Sequence, residues 1–169
     1  MEKDKEILLE RAKKVAGRKE NNILKTENTI SVVEFLLSPE RFAIEEKYVS
    51  EVLSLKEITP IPGTSAFVMG VINLRGRIVS IINLKTLFNL KERGLTELNK
   101  VIILKDEKTE FGIVADSISG NKTIDLQTLS APPLTLNTIE SDNIKGITPD
   151  GLIILNAANL LNSKQIILK

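Results

Sequence analysis

The side chains that carry most hydrolytic chemistry are missing from this chain. It has no Cys and no His, which removes thiol nucleophiles, disulfides, Cys/His zinc sites, imidazole bases and Ser-His-Asp triads together. Ser, Lys and carboxylates remain. Ser119-Gly120-Asn121-Lys122 fits S-x-x-K and Ser141-Asp142-Asn143 fits S-D-N, a pairing by which penicillin-recognising enzymes activate a serine. K-T-G is absent, however, and a strand-rich chain of 169 residues lacks the helical domain that presents such a nucleophile. Asn121-Lys122-Thr123 is a glycosylation sequon, but without a secretory signal it reads as a polar loop. No Gly-rich phosphate cradle occurs, and the carboxylates are scattered as a solvated surface requires, with Glu45-Glu46 expected on an exposed helical face. An enzyme using Ser, Lys or a carboxylate pair is the weakest reading. No catalytic residue, metal ligand or cofactor is nominated.

Composition leads the same way. With 23 Lys+Arg against 22 Asp+Glu the net charge is +1, and aromatics make up 4% of residues. Neither an electrostatic field nor a stacking platform for nucleic acid results. No apolar run reaches the roughly 18 to 20 residues of a membrane-spanning helix, so the chain is expected in the cytoplasm, without direct membrane insertion.

The elements that would position a binding site fall into two parts. Residues 2–19 carry Ile7, Leu8, Ala12, Val15 and Ala16 at helical spacing amid charges, with Gly17 placed to end the segment. Residues 20–28 read as a polar linker, so residues 1–28 form an amphipathic helix plus linker and 29–169 the folded domain. From Thr29 onward short runs rich in Val and Ile recur: 30–37, 52–58, 71–74, 77–83, 100–105, 110–116 and 151–155. That spacing predicts antiparallel barrels or sandwiches. Short helical connectors are expected at Glu45–Val52, Leu84–Phe88 and Ala157–Leu161. NLKTLFNL (83–90) and NAANLLN (156–162) follow apolar strands in a similar way, so two similar lobes are possible.

One segment stands apart. In GVINLRGRIVSIINLKTLFNL (70–90), two strand-like runs flank Leu74-Arg75-Gly76-Arg77. The Gly at this reversal predicts a tight turn with positive φ at Gly76, and Arg75 at or near a hairpin tip. From the local pattern, both arginines can be ordinary solvated turn residues. Leu74 is expected in the core and Asn73 at backbone hydrogen bonds.

GVINLRGRIVSIINL resembles the signature of the CheW family of chemotaxis coupling proteins. FLLSPERFAI, YVSEVLSLKEITPIP, GTSAFVMG, EFGIVADSISG and GITPDGLIILNAANLL follow the family's order over roughly Ile30 to Leu168. Ser80 stands where Pro is frequent and Asn83 where Asp is frequent. The resemblance implies a mainly β fold of two small five-stranded SH3-like barrels packed together, with short connector helices and no catalysis. It implies an adaptor that is monomeric when isolated. One surface would meet the regulatory domain of the chemotaxis histidine kinase CheA, and a groove would receive the hairpin tip of a chemoreceptor. Arg75 and Glu51 match positions around that groove, and Val49 would supply an apolar wall. The alternative for Glu51 and Arg75 is an intramolecular ion pair or two separate surface charges. Asp116 and Gly120 are expected as strand-end and turn residues. An alternative function is a scaffold in a non-motility pathway, or one joining arrays through the N-terminal helix.

Overall fold

The computed structural model describes residues 28–55, 57–90, 99–132, 141–163 and 166. The helix expected over residues 2–19 lies outside them. Among the described residues ten strands form two five-stranded sheets. One lobe is contiguous: β3 (Val49–Ser54), β4 (Val68–Leu74), β5 (Arg77–Ile82), a short helix α1 (Leu84–Leu87), β6 (Lys100–Lys105) and β7 (Glu110–Ala115). The other takes β1 (Thr29–Leu37) and β2 (Glu40–Glu45) from one side of it, and β8 (Ser117–Asp125), β9 (Ile144–Ile147), β10 (Ile153–Leu155) and helix α2 (Ala157–Leu161) from the other. The sheet orders, β3-β6-β7-β5-β4 and β8-β1-β2-β10-β9, are the same arrangement used twice. Each has one parallel pair, β5 with β7 and β10 with β2.

Neither sheet is left open. Thr59, downstream of edge strand β3, exchanges two backbone hydrogen bonds of 2.8 and 2.9 Å with Val71 on the opposite edge. Ser130 does the same with Ile147, at 3.0 Å both ways, after β8. Closure satisfies edge groups that would otherwise recruit another strand.

The central strands explain why the sequence shows apolar runs rather than strict alternation. In KVIILK, Val101 and Ile103 point into their own barrel with Ile72, Leu74, Val79, Ile81 and Val114. Ile102 and Leu104 point the other way, into a seam shared by both lobes. On β2, Phe42 and Ile44 face that seam while Ala43 faces the interior of the other barrel. A strand buried on both faces needs apolar residues at every position. The seam is the larger core, and Phe42 stacks there between Phe35 and Phe88, ring centroids 6.1 Å apart in each case.

Two expected connectors are helices. Each opens with an asparagine whose side chain caps it: Asn83 Oδ1 accepts from Lys85 N (3.0 Å) and Asn156 Oδ1 from Asn159 N (3.0 Å). A carboxylate serves such a position equally well, which explains how Asn83 can replace Asp. Asn83→Ala is expected to lower stability by about 1 kcal/mol in urea unfolding, with Asn83→Asp within a few tenths.

Other expectations are corrected. The connector helix expected at Glu45–Val52 shrinks to a single 3-10 turn, Glu46–Tyr48, and Val49 onward is strand β3, where β-branched Val49 and Val52 favour the extended state. The β3 run therefore starts at Val49 and ends at Ser54 rather than occupying 52–58. Asn121-Lys122-Thr123 belongs to β8, not a loop, and Gly120 lies inside that strand. Gly120 sits at an irregularity opposite Glu34 with φ of +128°, which a side chain would oppose. Glu45 and Glu46 do not share an exposed helical face, because Glu45 is a buried strand end. Among the described residues no helix is long and apolar enough to cross a membrane.

Candidate interaction site

The β4–β5 hairpin has a two-residue tip. Leu74 pairs with Arg77, leaving Arg75 and Gly76 as the turn, with φ of 50° and 85°. Positive φ at both positions is the geometry whose twist matches paired strands. The expectation for Gly76 holds, and Arg75 shares the left-handed region, which disfavours side chains. Asn73 Oδ1 accepts from Gly76 N (2.9 Å) and Leu74 is buried, locking the tip in place.

Arg75 is thereby thrown outward, its side chain 74% exposed, and its Nη1 donates to Glu51 Oε2 at 3.1 Å. Glu51 lies on β3, the opposite edge of the same sheet, so the pair spans the closure of the barrel. The structure thus brings two of the three expected site residues into direct contact, as the intramolecular ion pair. An exposed pair of this kind contributes about 0 to 1 kcal/mol. Arg77, the neighbouring arginine, is committed differently: its Nε and Nη2 both reach Glu110, at 3.1 and 3.2 Å.

Val49 is set apart from this pair by a β-bulge. Val49 registers with Leu104 and Glu51 with the adjacent Ile103, so Ser50 is the extra residue. Leu104 faces the seam and Ile103 the barrel interior. Two positions that strict alternation would put on one face are therefore split. Val49 packs beside Tyr48 on the seam, and Glu51 turns to the barrel end under Arg75.

Two shallow depressions lie along the connector between the lobes, one of them beside Val49. Tyr48, Val49, Lys105 and Glu107 line one stretch, Ile30, Glu45 and Glu46 the next, and Lys47 borders both. Glu45 anchors this connector, one oxygen 2.5 Å from Lys145 Nζ and the other 3.4 Å from Lys47 Nζ. The Glu45 carboxylate, and to a lesser degree Tyr48, hold the Lys47 ammonium above its usual pKa. Lys47 also sits 5.1 Å over the Tyr48 ring. Sequence reasoning passed over Tyr48 and Lys47. The only tyrosine in the chain, next to Val49, is the available signal.

A second polar cluster was also missed. Lys85, on α1, is 8% exposed and places Nζ 2.8 Å from both oxygens of Asp116. Asp116 Oδ2 also accepts from Ser38 N in the β1–β2 turn (2.8 Å). Asp116 is the residue at which the chain leaves β7 for β8, so it is more than a strand end: it pins one lobe to the other.

Lys122 Nζ points to Glu34 Oε1 at 3.1 Å, which occupies the amine that S-x-x-K chemistry would need. Among the described residues no group of His, Cys, Asp or Glu is placed to hold a metal ion.

Twin closed barrels with a shared apolar seam define a double-barrel module. The chain belongs to the CheW family: the CheW-like domain matches residues 31–165. The chemotaxis protein CheW of Treponema pallidum (strain Nichols) is 32% identical over 142 residues, 80% of this chain and 84% of that one. The chemotaxis protein CheW of Klebsiella aerogenes is 30% identical over 137 residues, 79% and 82% of the two chains. In three dimensions the chain is similar to the scaffolding protein TtCheW from Thermoanaerobacter tengcongensis, with a TM-score of 0.72, 31% identity and coverage of 83% and 94%. The family is one of scaffolds and adaptors in chemotaxis, coupling receptors to a kinase.

Proposed function

We propose that this chain works in the cytoplasm as a non-catalytic adaptor, receiving a chemoreceptor hairpin tip along Val49, Glu51 and Arg75 while a separate surface holds the regulatory domain of the histidine kinase CheA. The observation that carries the receptor part is the state of Arg75. It occupies a left-handed backbone position that disfavours a side chain, for the return of one solvent-exposed ion pair. Stability does not account for an arginine there, whereas recognition does. Only Nη1 is engaged with Glu51, so the outer edge of the guanidinium is available to a carboxylate or carbonyl of a partner, in a fork that Lys does not reproduce. Glu51 keeps the guanidinium aimed, and Val49 with Tyr48 offers apolar surface to a helical tip.

Stability and binding should therefore separate in one variant. Arg75→Asn places the residue favoured at the first position of such a turn, and is expected to leave stability unchanged or raise it by up to about 1 kcal/mol. In calorimetric titration, the same variant should weaken binding of a receptor hairpin fragment about 5- to 150-fold and leave binding of the kinase regulatory domain as it was. Equal losses for both partners would remove Arg75 from the receptor site; a loss of stability above 1 kcal/mol would make it a structural residue.

A further inference from the structure

The first barrel carries a rim of charge at one mouth. β3, β5 and β7 begin at this end and β4 and β6 finish there, so that in sheet order the rim holds Glu51 on β3, Lys105 on β6, Glu110 on β7, Arg77 on β5 and Arg75 on the turn after β4. Arg75 pairs with Glu51 at 3.1 Å, and Arg77 with Glu110 at 3.1 and 3.2 Å. Lys105 is left over.

The sheet register would have paired it. Lys105 lies directly opposite Glu110 across β6 and β7, where opposite charges attract, yet both oxygens of Glu110 accept from the guanidinium of Arg77. Among the described residues every Arg and Lys pairs with a carboxylate except Lys100, Lys105 and Lys108. Lys100 Nζ donates to Ser54 Oγ at 3.1 Å, and Lys108 sits on the β6–β7 turn. Lys105 is therefore the exposed strand cation whose charge nothing in the fold takes up.

Its place gives that charge a use. β6 is the strand next to β3, about 5 Å away, and Lys105 shares a shallow depression with Tyr48 and Val49. Val49 and Glu51 on β3 are thus flanked by Arg75 on one side and by Lys105 on the other. The remaining charges of the depression are Lys47, Asp106 and Glu107. Lys47 is held by Glu45 at 3.4 Å, and Asp106 accepts from the backbone N–H groups of Lys108 and Thr109 at 2.8 and 2.7 Å. Glu107 is exposed and unpaired, and it opposes Lys105 in drawing an acidic partner.

We propose that Lys105 is a second cationic anchor of the receptor site, and that the hairpin tip received there carries a carboxylate facing it, besides the acceptor met by Arg75. This rests on the reading of Val49, Glu51 and Arg75 as the receptor surface. One helix, about 10 to 12 Å wide with its side chains, covers β3 and reaches the cations on both sides. Lys105 is a solvated point charge on a flexible stem. It acts mainly by attraction across the rim of the contact, which salt screens.

A receptor hairpin fragment titrated calorimetrically into the full-length chain tests this. Lys105→Gln should weaken binding about two- to tenfold at about 50 mM salt and less than about twofold at about 500 mM. Lys105→Glu should weaken it further, Lys105→Arg should bind like the parent, and Glu107→Gln should tighten binding. When each acidic residue of the tip is changed to Lys in turn, one such fragment should recover affinity for Lys105→Glu. Recovery by one fragment, with the kinase regulatory domain bound as before, supports the proposal. An equal loss in Lys108→Gln would reveal a general field rather than a contact, an equal loss for the kinase domain a shared surface, and recovery by no fragment the lack of a facing carboxylate; each overturns it. Arg75→Asn separates the proposal from its premise. If Arg75→Asn weakens binding and Lys105→Gln does not, the receptor site stands without Lys105. If Arg75→Asn changes nothing, the receptor reading fails and this proposal fails with it.

Discussion

Phe42→Ala is expected to remove about 3 to 5 kcal/mol of folding stability, and for a chain of 169 residues to lower Tm by roughly 6 to 20 °C. Phe42 is fully buried on β2 and stacks on Phe35 of its own lobe and on Phe88, which follows α1 in the other. The truncation would open a cavity at the one place where rings from both lobes meet. The role of the seam can be checked in the same urea titration, followed by amide signals in β4 and in β9. Loss of the seam should shift both sets together, because the seam is a larger core than either barrel interior. Ile78→Ala is the control: Ile78 is 67% exposed on β5 and its truncation should stay within about 0.5 kcal/mol. Lobes that melted separately in Phe42→Ala would show that each barrel is stable alone and that the seam is an accessory contact.

The same division between local and long-range signals decides what could be read from the sequence. KVIILK and GLIIL announce strands because burial on both faces writes an unbroken apolar run. The turn at Arg75-Gly76 is legible because its backbone requirement is met by adjacent residues. Asn83 and Asn156 are legible as strand ends for a related reason, although their service as helix caps emerges only from the hydrogen bonds. ERFAIE and IKGI do not stand out as strands in the sequence. Each carries charged residues that interrupt its apolar run, and each is held by the strand next to it in sequence, β2 by β1 and β9 by β10. Asn121-Lys122-Thr123 reads as a polar loop because β8 is an edge strand that buries little besides Ile124. The contact between Glu51 and Arg75 depends on closing a barrel across 24 residues of sequence, and the split of Val49 from Glu51 depends on one bulge. Resemblance to a family could nominate those three residues without saying how they face one another.

Lys85 illustrates the limit most sharply, and it leads to the second large effect. In NLKTLF it is indistinguishable from a solvated helical lysine, yet α1 packs it against the lobe junction, where Asp116 supplies its counter-charge. Asp116→Ala would leave an ammonium that is nearly removed from water without its carboxylate, and would also strip Ser38 N of its acceptor. A loss of about 3 kcal/mol is expected, since breaking a buried pair from one side leaves the remaining charge uncompensated. Lys85→Met should cost less, about 1 kcal/mol. Its chain fills the same space, and Asp116, with a side chain 23% exposed, retains Ser38 N and solvent. With Lys85→Met in place, Asp116→Ala should then cost clearly less than it does alone. Urea unfolding of the four proteins in this cycle isolates the coupling, expected between about 1 and 3 kcal/mol. A coupling near zero would assign the cost of Asp116→Ala to the bonds it accepts from Ser38 N and Asn99 Nδ2. The lobes would then be held at this point by a turn contact rather than by charge. A large coupling makes the ion pair the clasp that fixes one barrel against the other, and with it the spacing between the hairpin bearing Arg75 and the surfaces of the second lobe.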